Sequence, residues 1–428
     1  MSAVGVANAA GARSGIGPAE WTQYRMDPTS NAVYRDHGAA SGKAMPSRIY
    51  HTNAPIRATP VIVDGRLYIG NHKDGGLQAF DLKTGRMLWH NRAPNWVHSE
   101  MTEAGGMIYV GYGDREFVTA WLRGEGPSGV LALDPDTGKI IWQFKTIGEV
   151  MPTPAYRNGT VYVTTGAGEL YALDARTGAI QWRLALRTDR IAIDTGLRLA
   201  ADVPAFVSMS SPHIKDGVLY IGALDTVFAI DLASHRVKWK FSRLASFTDV
   251  PVAISEDGII VTTGVKERNQ LTRDEIRKFG AVRTNYHFIY AINPDGSLRW
   301  KHLMGPGMHQ DNNTSGAPAI ADGRVYVGSP YAKAMFAYDV KSGEKLWEYF
   351  TGTKIKGPPA IADGVVFFGD TRGTLYLLHA DNGRLITRRE FPAALAPAGP
   401  VVIDRNLYVG CQNGNVYSIP LQELVTQK

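Results

Sequence analysis

Two short segments of this sequence hold the residue types that could do chemistry. The denser one follows a Gly-Pro-Gly turn and contains seven consecutive polar residues, from His309 to Ser315. An imidazole close to a carboxylate can transfer protons, which makes His309 and Asp311 candidates for a general base and its partner. The neighbouring polar groups can orient a bound ligand by hydrogen bonds, and they belong to Asn312, Asn313 and Ser315. A polar turn without a ligand explains the same residues, so both interpretations stay open.

The second segment surrounds Trp96, whose indole could stack on a ligand ring. His98 and Glu100 are two residues apart, which places them on one face if the segment is a strand. They form a second candidate pair for acid and base catalysis. The alternative is that Trp96 packs between structural elements and has no ligand.

Both segments lie between copies of an internal repeat. Clear copies read TPVIVDGRLYIG with GLQAFDLKTGRMLW, TPAYRNGTVYVTTG with GELYALDARTGAIQW, and APAIADGRVYVGS with MFAYDVKSGEKLW. Alternation around Asp64-Gly65 predicts a hairpin, and the two apolar runs that follow predict a third and a fourth strand. The shortest spacing between closing tryptophans, Trp142 to Trp182, is 40 residues. Four-stranded units of this length are typical of a β-propeller.

The repeat predicts an all-β chain that folds as an eight-bladed β-propeller. The residues that close the first seven units are Trp89, Trp142, Trp182, Trp239, Trp300, Trp347 and Thr387. The eighth unit has only three strands, and Arg48-Ile49-Tyr50 is expected to supply its outer strand and close the ring. Seven blades is the alternative count, if a weak copy near Met101 or Pro251 is misread.

The run GxLxALDxxTGxxxW, present as GELYALDARTGAIQW and GVLALDPDTGKIIW, resembles the tryptophan-docking repeat of the PQQ-like (pyrroloquinoline-quinone) propeller family. That family includes quinoprotein alcohol dehydrogenases and BamB-type outer-membrane assembly lipoproteins. The opening WTQYRMDPTSN is similar to the lead-in of such bacterial chains. The resemblance covers residues 21 to 420 and implies a propeller. Because the repeat is the scaffold, it implies little about function.

The sequence departs from both branches of that family. The dehydrogenases carry an adjacent cysteine pair and a calcium site of Glu, Asn and Asp, whereas this sequence has one cysteine, Cys411. It also has no lipobox cysteine near its start. We therefore predict no cofactor, no PQQ-dependent redox chemistry and no metal site. The favoured function is binding of a small, anionic molecule or a protein partner. The alternative is a cofactor-independent lyase, hydrolase or cyclase of secondary or carbohydrate metabolism, so whether the protein is an enzyme stays open.

Insertions relative to the shortest unit indicate where binding should occur. They fall in the connections between second and third strands and between blades, at residues 112–128, 183–209, 265–286 and 301–316. All these connections open on one face of a propeller, which we call the top face. Binding residues concentrate on elaborated loops of rigid scaffolds, so we expect a pocket over the central channel on this face. An ordinary hydrated channel is the alternative.

The residues just before each innermost strand should line the mouth of that channel. Arg57 and Lys356 lie three places before a proline that starts such a strand. The charged group of each side chain would be partly desolvated at the mouth, where it could donate a charge-assisted hydrogen bond to an anion. The predicted ligand-binding residues are Arg57, Trp96, Asn312, Asn313, Ser315 and Lys356. By contrast, Lys266 is predicted to be exposed in a mobile basic lid with a short helix over Thr272–Phe279, and a solvated charged helix is the alternative. Its replacement is expected to weaken ligand binding by less than about 1 kcal/mol.

Composition and charge restrict the partners and the location. No window approaches the roughly 18 uninterrupted apolar residues of a membrane-spanning helix. The net charge of +6 is spread along the chain, which argues against a nucleic-acid partner. We expect a monomer with one propeller domain at residues 21–420, a flexible segment at 1–20 and a tail at 421–428. Ala7-Asn8-Ala9 resembles the end of a cleaved signal, but a disordered tail explains the same segment equally well. The family resemblance, rather than a signal, favours an extracytoplasmic (periplasmic or secreted) location over a cytoplasmic one.

Overall fold

The structure is a computed structural model that describes residues 33–34, 44–114, 116–119, 122–186, 210–223, 226–242, 250–266, 271–279, 285–307, 316–395 and 397–425. Within these residues the strands form eight blades, seven of four strands and one of five. The blades surround a central channel as in a propeller. The predicted count of eight is confirmed, and the alternative count of seven is wrong.

Each blade begins with a hairpin whose turn needs left-handed backbone. In blade 1 this turn is Asp64-Gly65, with φ angles of 49° and 69°. Glycine adopts such angles without strain, and aspartate tolerates them better than most residues. The turn between the third and fourth strands is held by Asp81, whose carboxylate accepts hydrogen bonds from the Thr84 amide at 2.7 Å and hydroxyl at 2.6 Å. Both kinds of turn open on the same face, which we call the bottom face.

The strands of each blade are hydrogen-bonded in sequence order from the channel outward. In blade 1 they are Val61–Val63, Arg66–Gly70, Gly76–Asp81 and Met87–Arg92. In blade 2 they are Thr102–Ala104, Met107–Tyr112, Gly129–Leu133 and Ile140–Lys145. In blade 3 they are Ala155–Arg157, Thr160–Thr164, Glu169–Asp174 and Ile180–Ala185. In blade 4 they are His213–Lys215, Val218–Ala223, Thr226–Asp231 and Arg236–Ser242.

The remaining blades repeat this order with two variations. In blade 5 the strands are Ala253–Ile254, Ile260–Lys266, Asn285–Ile292 and Leu298–Gly307. In blade 6 they are Ala319–Ala321, Arg324–Ser329, Ala334–Asp339 and Lys345–Phe350. In blade 7 they are Ala360–Ala362, Val365–Gly369, Thr374–His379 and Leu385–Glu390, with Val33–Tyr34 added on the inner side. In blade 8 they are Val401–Ile403, Asn406–Cys411 and Asn415–Pro420, with Arg48–His51 outermost.

The closing tryptophans dock each blade on the next one. The indole N–H of Trp89 donates to the Pro135 carbonyl of blade 2 at 2.9 Å. The same ring lies against Gly138, where a Cβ would collide with it, so this turn requires glycine for space as well as for its φ of 69°. Equivalent indole-to-carbonyl bonds are made by Trp142, Trp239, Trp300 and Trp347. This repeated contact explains the spacing of tryptophan and glycine in the sequence.

The N-terminal strand closes the ring as predicted. Arg48–His51 pairs antiparallel with Asn415–Pro420, and Arg48 lies opposite Ser418. In blades 1 to 6 a tryptophan occupies this position opposite alanine, as Trp89 does opposite Ala79, and in blade 7 Thr387 lies opposite Leu377. Arg48 replaces the indole by donating to the Thr84 carbonyl at 2.7 Å and the Lys83 carbonyl at 3.1 Å. The seam between blades 8 and 1 is therefore held by a guanidinium.

A further strand lies on the channel side of blade 7. Val33–Tyr34 runs parallel to the innermost strand, with Val33 opposite Ile361 and Tyr34 opposite Ala362. Val33 packs against the apolar cluster shared by blades 6 and 7. The sequence analysis did not predict this strand.

Two of the predicted insertions have structure of their own. Between the second and third strands of blade 2, Phe117–Thr119 and Leu122–Arg123 form a small hairpin. In blade 5 the corresponding connection contains the helix Arg273–Phe279, which confirms the predicted short helix. The outer strand of blade 5 continues to Gly307, so the assignment of residues 301–307 to a loop is wrong.

The insertions at residues 187–209 and 308–315 lie outside the described residues. The last described residues form the short helix Leu421–Val425. Neither described helix is long and apolar enough to cross a membrane.

Candidate functional site

The channel mouth on the top face is built on a repeated contact between a side chain and a glycine. In five of the connections that lead into an innermost strand, one buried apolar side chain packs on the glycine near the end of the second strand of the preceding blade. Gly70 receives Val97, and Gly328 receives Ile355, each so closely that a Cβ would collide. The other described pairs are Gly111 with Val150, Gly369 with Leu395, and Gly410 with Ile56. These contacts fix the backbone at the mouth.

The residue after each anchor is the one that can reach the channel. Successive side chains of an extended segment point to opposite sides, so an anchor that points into the blade directs the next residue away from it. The positions that follow described anchors are held by Arg57, His98, Met151 and Lys356, and all four side chains are half-buried. Cations or an imidazole thus follow the anchors of blades 7, 1 and 2. We call Lys356 and Arg57 the cationic arc.

Hydrogen bonds between neighbouring connections stiffen the rim of the mouth. The Glu100 amide donates to the Thr153 hydroxyl at 3.1 Å, and the Thr153 amide donates to the Ser211 hydroxyl at 2.9 Å. Across the seam, the Gly399 amide donates to the Thr59 hydroxyl at 3.1 Å. Small hydroxyl residues at these positions therefore link one blade to the next.

His98 belongs to an aromatic cluster that the sequence analysis only partly predicted. Its ring centroid lies 4.0 Å from that of His72, and the His72 ring meets Trp96 edge to face at 4.9 Å. Trp96 and His98 are 6.0 Å apart. His72 comes from the connection inside blade 1, and the other two come from the connection to blade 2. No local spacing in the sequence relates His72 to His98, because only the propeller brings these two loops together.

The segment that holds His98 and Glu100 is not a strand, so their placement on one strand face is wrong, whereas their role as an acid and base pair stays a prediction. The innermost strand of blade 2 begins only at Thr102, so both residues lie in the connection before it. His98 is half-buried there, while Glu100 is 6% exposed. The strand starts later than the sequence suggested because the rim hydrogen bond of Glu100 reaches Thr153, a residue outside the blade's own sheet.

Asp114 organises the long connection of blade 2. Its carboxylate accepts hydrogen bonds from the Asn95 side chain at 2.8 Å and from the amides of Glu125 and Gly126 at 2.9 and 2.7 Å. Burial raises the pKa of Asp114, but these hydrogen bonds outweigh it and hold the pKa below its ordinary value of 3.8. The carboxylate is therefore ionised at neutral pH and serves to shape the loop.

A buried ion pair ties the same connection to blade 3. The Arg123 Nε donates to Glu149 Oε1 at 2.7 Å, and the two side chains are 6% and 1% exposed. The Arg123 carbonyl also accepts the Glu149 amide at 2.8 Å, and the Glu149 carbonyl accepts the Gly166 amide at 2.8 Å. Sequence reasoning missed this pair, since 26 residues separate its partners and neither lies in a recognisable motif.

Lys266 is not the exposed lid residue that the sequence predicted. It lies at the end of a strand, is 9% exposed, and its ammonium is 3.3 Å from a Glu275 carboxylate oxygen. Lys301 reaches the same carboxylate at 2.7 Å. The helix that carries Glu275 packs Ile276 against an apolar cluster shared by blades 4 and 5. The charged insertion therefore covers the space between two blades through ion pairs and apolar contacts.

The remaining predicted site residues fall outside the described part of the chain. They are His309, Asp311, Asn312, Asn313 and Ser315. Among the described residues, no group of three His, Cys, Asp or Glu side chains could hold a metal ion. Cys411 is buried in blade 8, where burial raises the pKa of its thiol and the sulfur lies 3.3 Å from the Ala393 carbonyl.

Comparisons with known proteins agree with this architecture. The sequence profile of the family described as "Outer membrane protein assembly factor BamB" matches residues 30–121, 126–266 and 199–423. Among solved structures, BamB from Moraxella catarrhalis superposes with a TM-score of 0.63 at 16% identity, covering 88% of this chain and 98% of the other. At this level of identity the superposition speaks for the fold alone.

Two relatives by sequence cover most of the chain. Tetrathionate hydrolase of Acidithiobacillus ferrooxidans is 23% identical over 97% of this chain and 88% of its own length. Outer membrane protein assembly factor BamB of Burkholderia pseudomallei is 24% identical over 84% of this chain and 83% of its own length. One fold thus supports a hydrolase in one relative and an assembly factor in another.

Proposed function

The chain belongs to the BamB-type family of PQQ-like β-propellers, and from that premise we propose that it binds a small divalent oxoanion at the channel mouth on its top face. The observation that carries this proposal is the cationic arc. Lys356 and Arg57 follow the buried anchors of two blades, and both are half-buried. No quinone enters the proposed chemistry, because the chain has one cysteine and that thiol is buried within blade 8.

The physical argument rests on partial desolvation. A charge at an open surface interacts through water, whereas a charge in a narrow channel is screened less and attracts an anion more strongly. A hydrogen bond from lysine or arginine to an anionic oxygen then contributes about 1.5–3 kcal/mol. Two such groups favour a ligand with charge at both ends.

The geometry of the ring favours a particular class of anion. Blades 7 and 1 are separated by one blade, so Lys356 and Arg57 approach the axis from directions about a quarter-turn apart. A polythionate such as tetrathionate has a sulfonate at each end of a short sulfur chain and can meet both cations at once. The relative named tetrathionate hydrolase, which covers 97% of this chain, supports the choice of this class.

Calorimetry on tetrathionate tests the proposal. Replacing Lys356 by alanine should weaken binding by about 10- to 150-fold, the equivalent of one charge-assisted hydrogen bond. Lys345→Ala is the matched control, because Lys345 is an exposed lysine on the outer strand of blade 6, paired only with Glu348 among the ion pairs seen. Its replacement should change the affinity less than twofold.

Equal losses in the two variants would mean that binding depends on overall charge and that the mouth is not the site. Sulfate and thiosulfate serve as further probes. If a single-ended anion binds as tightly as tetrathionate, the two-ended arrangement is wrong even though the mouth binds anions.

Hydrolysis of the bound anion is the second candidate function, favoured by the match to the hydrolase along nearly the whole chain. His98 and Glu100 are the described residues proposed as base and acid, and His309 with Asp311 are the proposed alternative pair. His98→Gln should lower the rate of tetrathionate consumption about 100-fold, within the range for loss of a general base. His90→Gln is the control, since His90 is exposed on the outer strand of blade 1. Binding without consumption in the wild type would reject the hydrolase.

The location and the other partners follow from the same family. We propose an extracytoplasmic protein, since both relatives by sequence are of bacteria and one is an outer-membrane assembly factor. Cell fractionation with a C-terminal tag tests this. A protein partner at the top face remains the alternative ligand, and it would be indicated by co-purification that depends on Lys356 while tetrathionate fails to bind.

A further inference from the structure

The strand Val33–Tyr34 lies where a propeller normally has an open edge. The innermost strand of each blade turns one row of backbone N–H and C=O groups toward the channel, as an edge strand does. In blade 7 this row is paired with Val33–Tyr34 at Ile361 and Ala362. Among the described blades, blade 7 alone carries a fifth strand on this side. A two-residue strand from the N-terminal part of the chain therefore lines the channel.

The depth of this strand follows from its register. Ala362 is the last residue of its strand and precedes the bottom-face turn at Asp363-Gly364. Lys356 lies five and six positions before the paired residues, which at about 3.3 Å per residue corresponds to roughly 15–20 Å of extended chain. The added strand thus occupies the lower part of the channel, and the cationic arc lies above it.

The direction of Val33–Tyr34 agrees with the contacts that hold the next described part of the chain at the bottom face. The pairing is parallel, so Val33–Tyr34 runs from top to bottom like the strand beside it. Further along the chain, Met45 exchanges two hydrogen bonds of 2.8 Å with the Asn406 side chain, next to the bottom-face turn of blade 8. From there Arg48–His51 runs upward as the outer strand of blade 8.

The neighbouring blade has room for this strand. Val33 packs against a cluster that contains Ala319 and Ala321, from the innermost strand of blade 6. In blade 1 the corresponding positions are Val61 and Val63, which pack on blade 2 and fill the equivalent space. The small side chains of blade 6 therefore leave a site that a valine can fill. Only two residue pairs hold the strand, so we expect it to detach more easily than a strand inside a blade.

We propose that Val33–Tyr34 is a docked segment that closes the channel from below and forms the floor of the anion site, so that docking and anion binding stabilise each other. The coupling rests on the proposed function, whereas the docking does not. With the floor in place the anion meets the cationic arc in a blind pocket. Without it, water enters from both faces and screens those charges more strongly. Two events that favour the same state must enhance each other by equal factors.

Docking is tested first, without any ligand. In a Cys411→Ala background, Val33→Cys with Ile361→Cys should form a reversible disulfide under mild oxidation, because paired strands lie about 4.8 Å apart and cysteines bridge at that distance. Val33→Cys with Tyr156→Cys is the control, since blade 3 lies across the ring from blade 7. Equal cross-linking of both pairs, or none at Ile361, would overturn the docking.

Coupling is then measured with tetrathionate as the probe. Val33→Asn keeps the charge unchanged and disfavours docking against alanines, so the affinity should fall at least fivefold. Val33→Ile should stay within twofold of the wild type, and the oxidised disulfide variant should bind at least as tightly as its reduced form. Tighter binding by Val33→Asn would show that the strand competes with the anion, and unchanged binding would show that the two are independent. Either result rejects the floor.

Hydrogen exchange separates failure of this inference from failure of the proposed function. The amide of Ile361, which the hairpin with Val365–Gly369 leaves on the channel side, should exchange at least tenfold faster in Val33→Asn than in Val33→Ile, whatever the ligand. If the wild type does not bind tetrathionate but this difference is seen, the closure stands and the anion site falls. If the anion binds and the difference is absent, the closure falls and the anion site stands.

Discussion

At the scale of single residues, the charged groups of this protein separate into those that hold loops and those that could hold a ligand. Asp114 is hydrogen-bonded by protein groups on several sides, and Arg123 is paired with Glu149. These contacts fix the backbone of the mouth. Arg57 and Lys356 follow the repeated anchors, where the extended connection directs each half-buried side chain toward the channel. The distinction predicts which replacements change stability and which change binding.

Glu275 offers a residue-scale prediction about pH. Burial raises the pKa of Glu275, but the hydrogen bonds from Lys301 and the Thr272 amide, with the charge of Lys266, lower it to about 2 from 4.5. A carboxyl with a depressed pKa stabilises the fold fully above its unfolded pKa and loses that stabilisation as the pH falls through the folded value. Glu275→Gln should therefore lower the free energy of unfolding at pH 7 by about 1–3 kcal/mol.

The difference between wild type and Glu275→Gln should stay constant above pH 5 and shrink between about pH 4.5 and 2 in urea titrations. Asp274→Asn is the control in the same helix, because the Asp274 and Arg277 side chains are 86% and 79% exposed and their pair contributes little. A difference that does not change down to pH 2.5 would contradict the ionic role of Glu275.

The sequence could predict the mouth positions but not their neighbours. The prediction that Arg57 and Lys356 lie at the mouth rests on the repeat, which marks the start of every innermost strand. The ring contact of His72 with His98 depends on two loops of different length that meet only in three dimensions. For the same reason the sequence wrongly placed Lys266 in the open, since its partners Glu275 and Lys301 come from a helix and another strand.

At the scale of elements, the insertions behave as parts of the blades. The hairpin of Phe117–Thr119 with Leu122–Arg123 is bound to blade 3 through the Arg123 amide, which donates to the Gly166 carbonyl at 3.1 Å. The helix Arg273–Phe279 lies on the cluster between blades 4 and 5. Charge composition alone indicated a mobile lid, because a sequence of alternating charges reads the same whether its ion pairs are exposed or buried.

The closing strand supplies an element-scale prediction. Deleting residues 1–54 removes Arg48–His51 and leaves the strand Asn415–Pro420 as an unpaired edge beside the seam. Unpaired edges associate with one another, so this variant should aggregate and lose its cooperative unfolding transition. Deleting residues 1–43 keeps the closing strand and should give a soluble protein that unfolds cooperatively, as measured by light scattering and circular dichroism. A soluble, cooperative 1–54 deletion would show that the ring does not need this strand.

At the scale of the whole molecule, the fold was predictable because the same contacts recur in several units of the sequence. Trp89 with Gly138, Trp142 with Gly178 and Trp300 with Gly343 are three instances of one docking contact. Substitutions can hide this contact in one unit, but the pattern remains recognisable across the other units. Features that occur once, such as the guanidinium of Arg48 at the seam and the strand at Val33, carry no such repetition. They could be recognised only when the ring was closed around them.

The seam has a consequence for synthesis. Arg48 pairs with Ser418, so the outer strand of blade 8, which the ribosome makes before blade 1, meets its partner only when nearly the whole chain has been made. Until then the growing chain holds up to seven finished blades in an open arc, and each can dock on its successor as soon as the latter emerges. The ring thus has a built-in order of assembly in which closure comes last. A chain whose translation stops before blade 8 lacks the partner of Arg48–His51, so its blades cannot close into a ring.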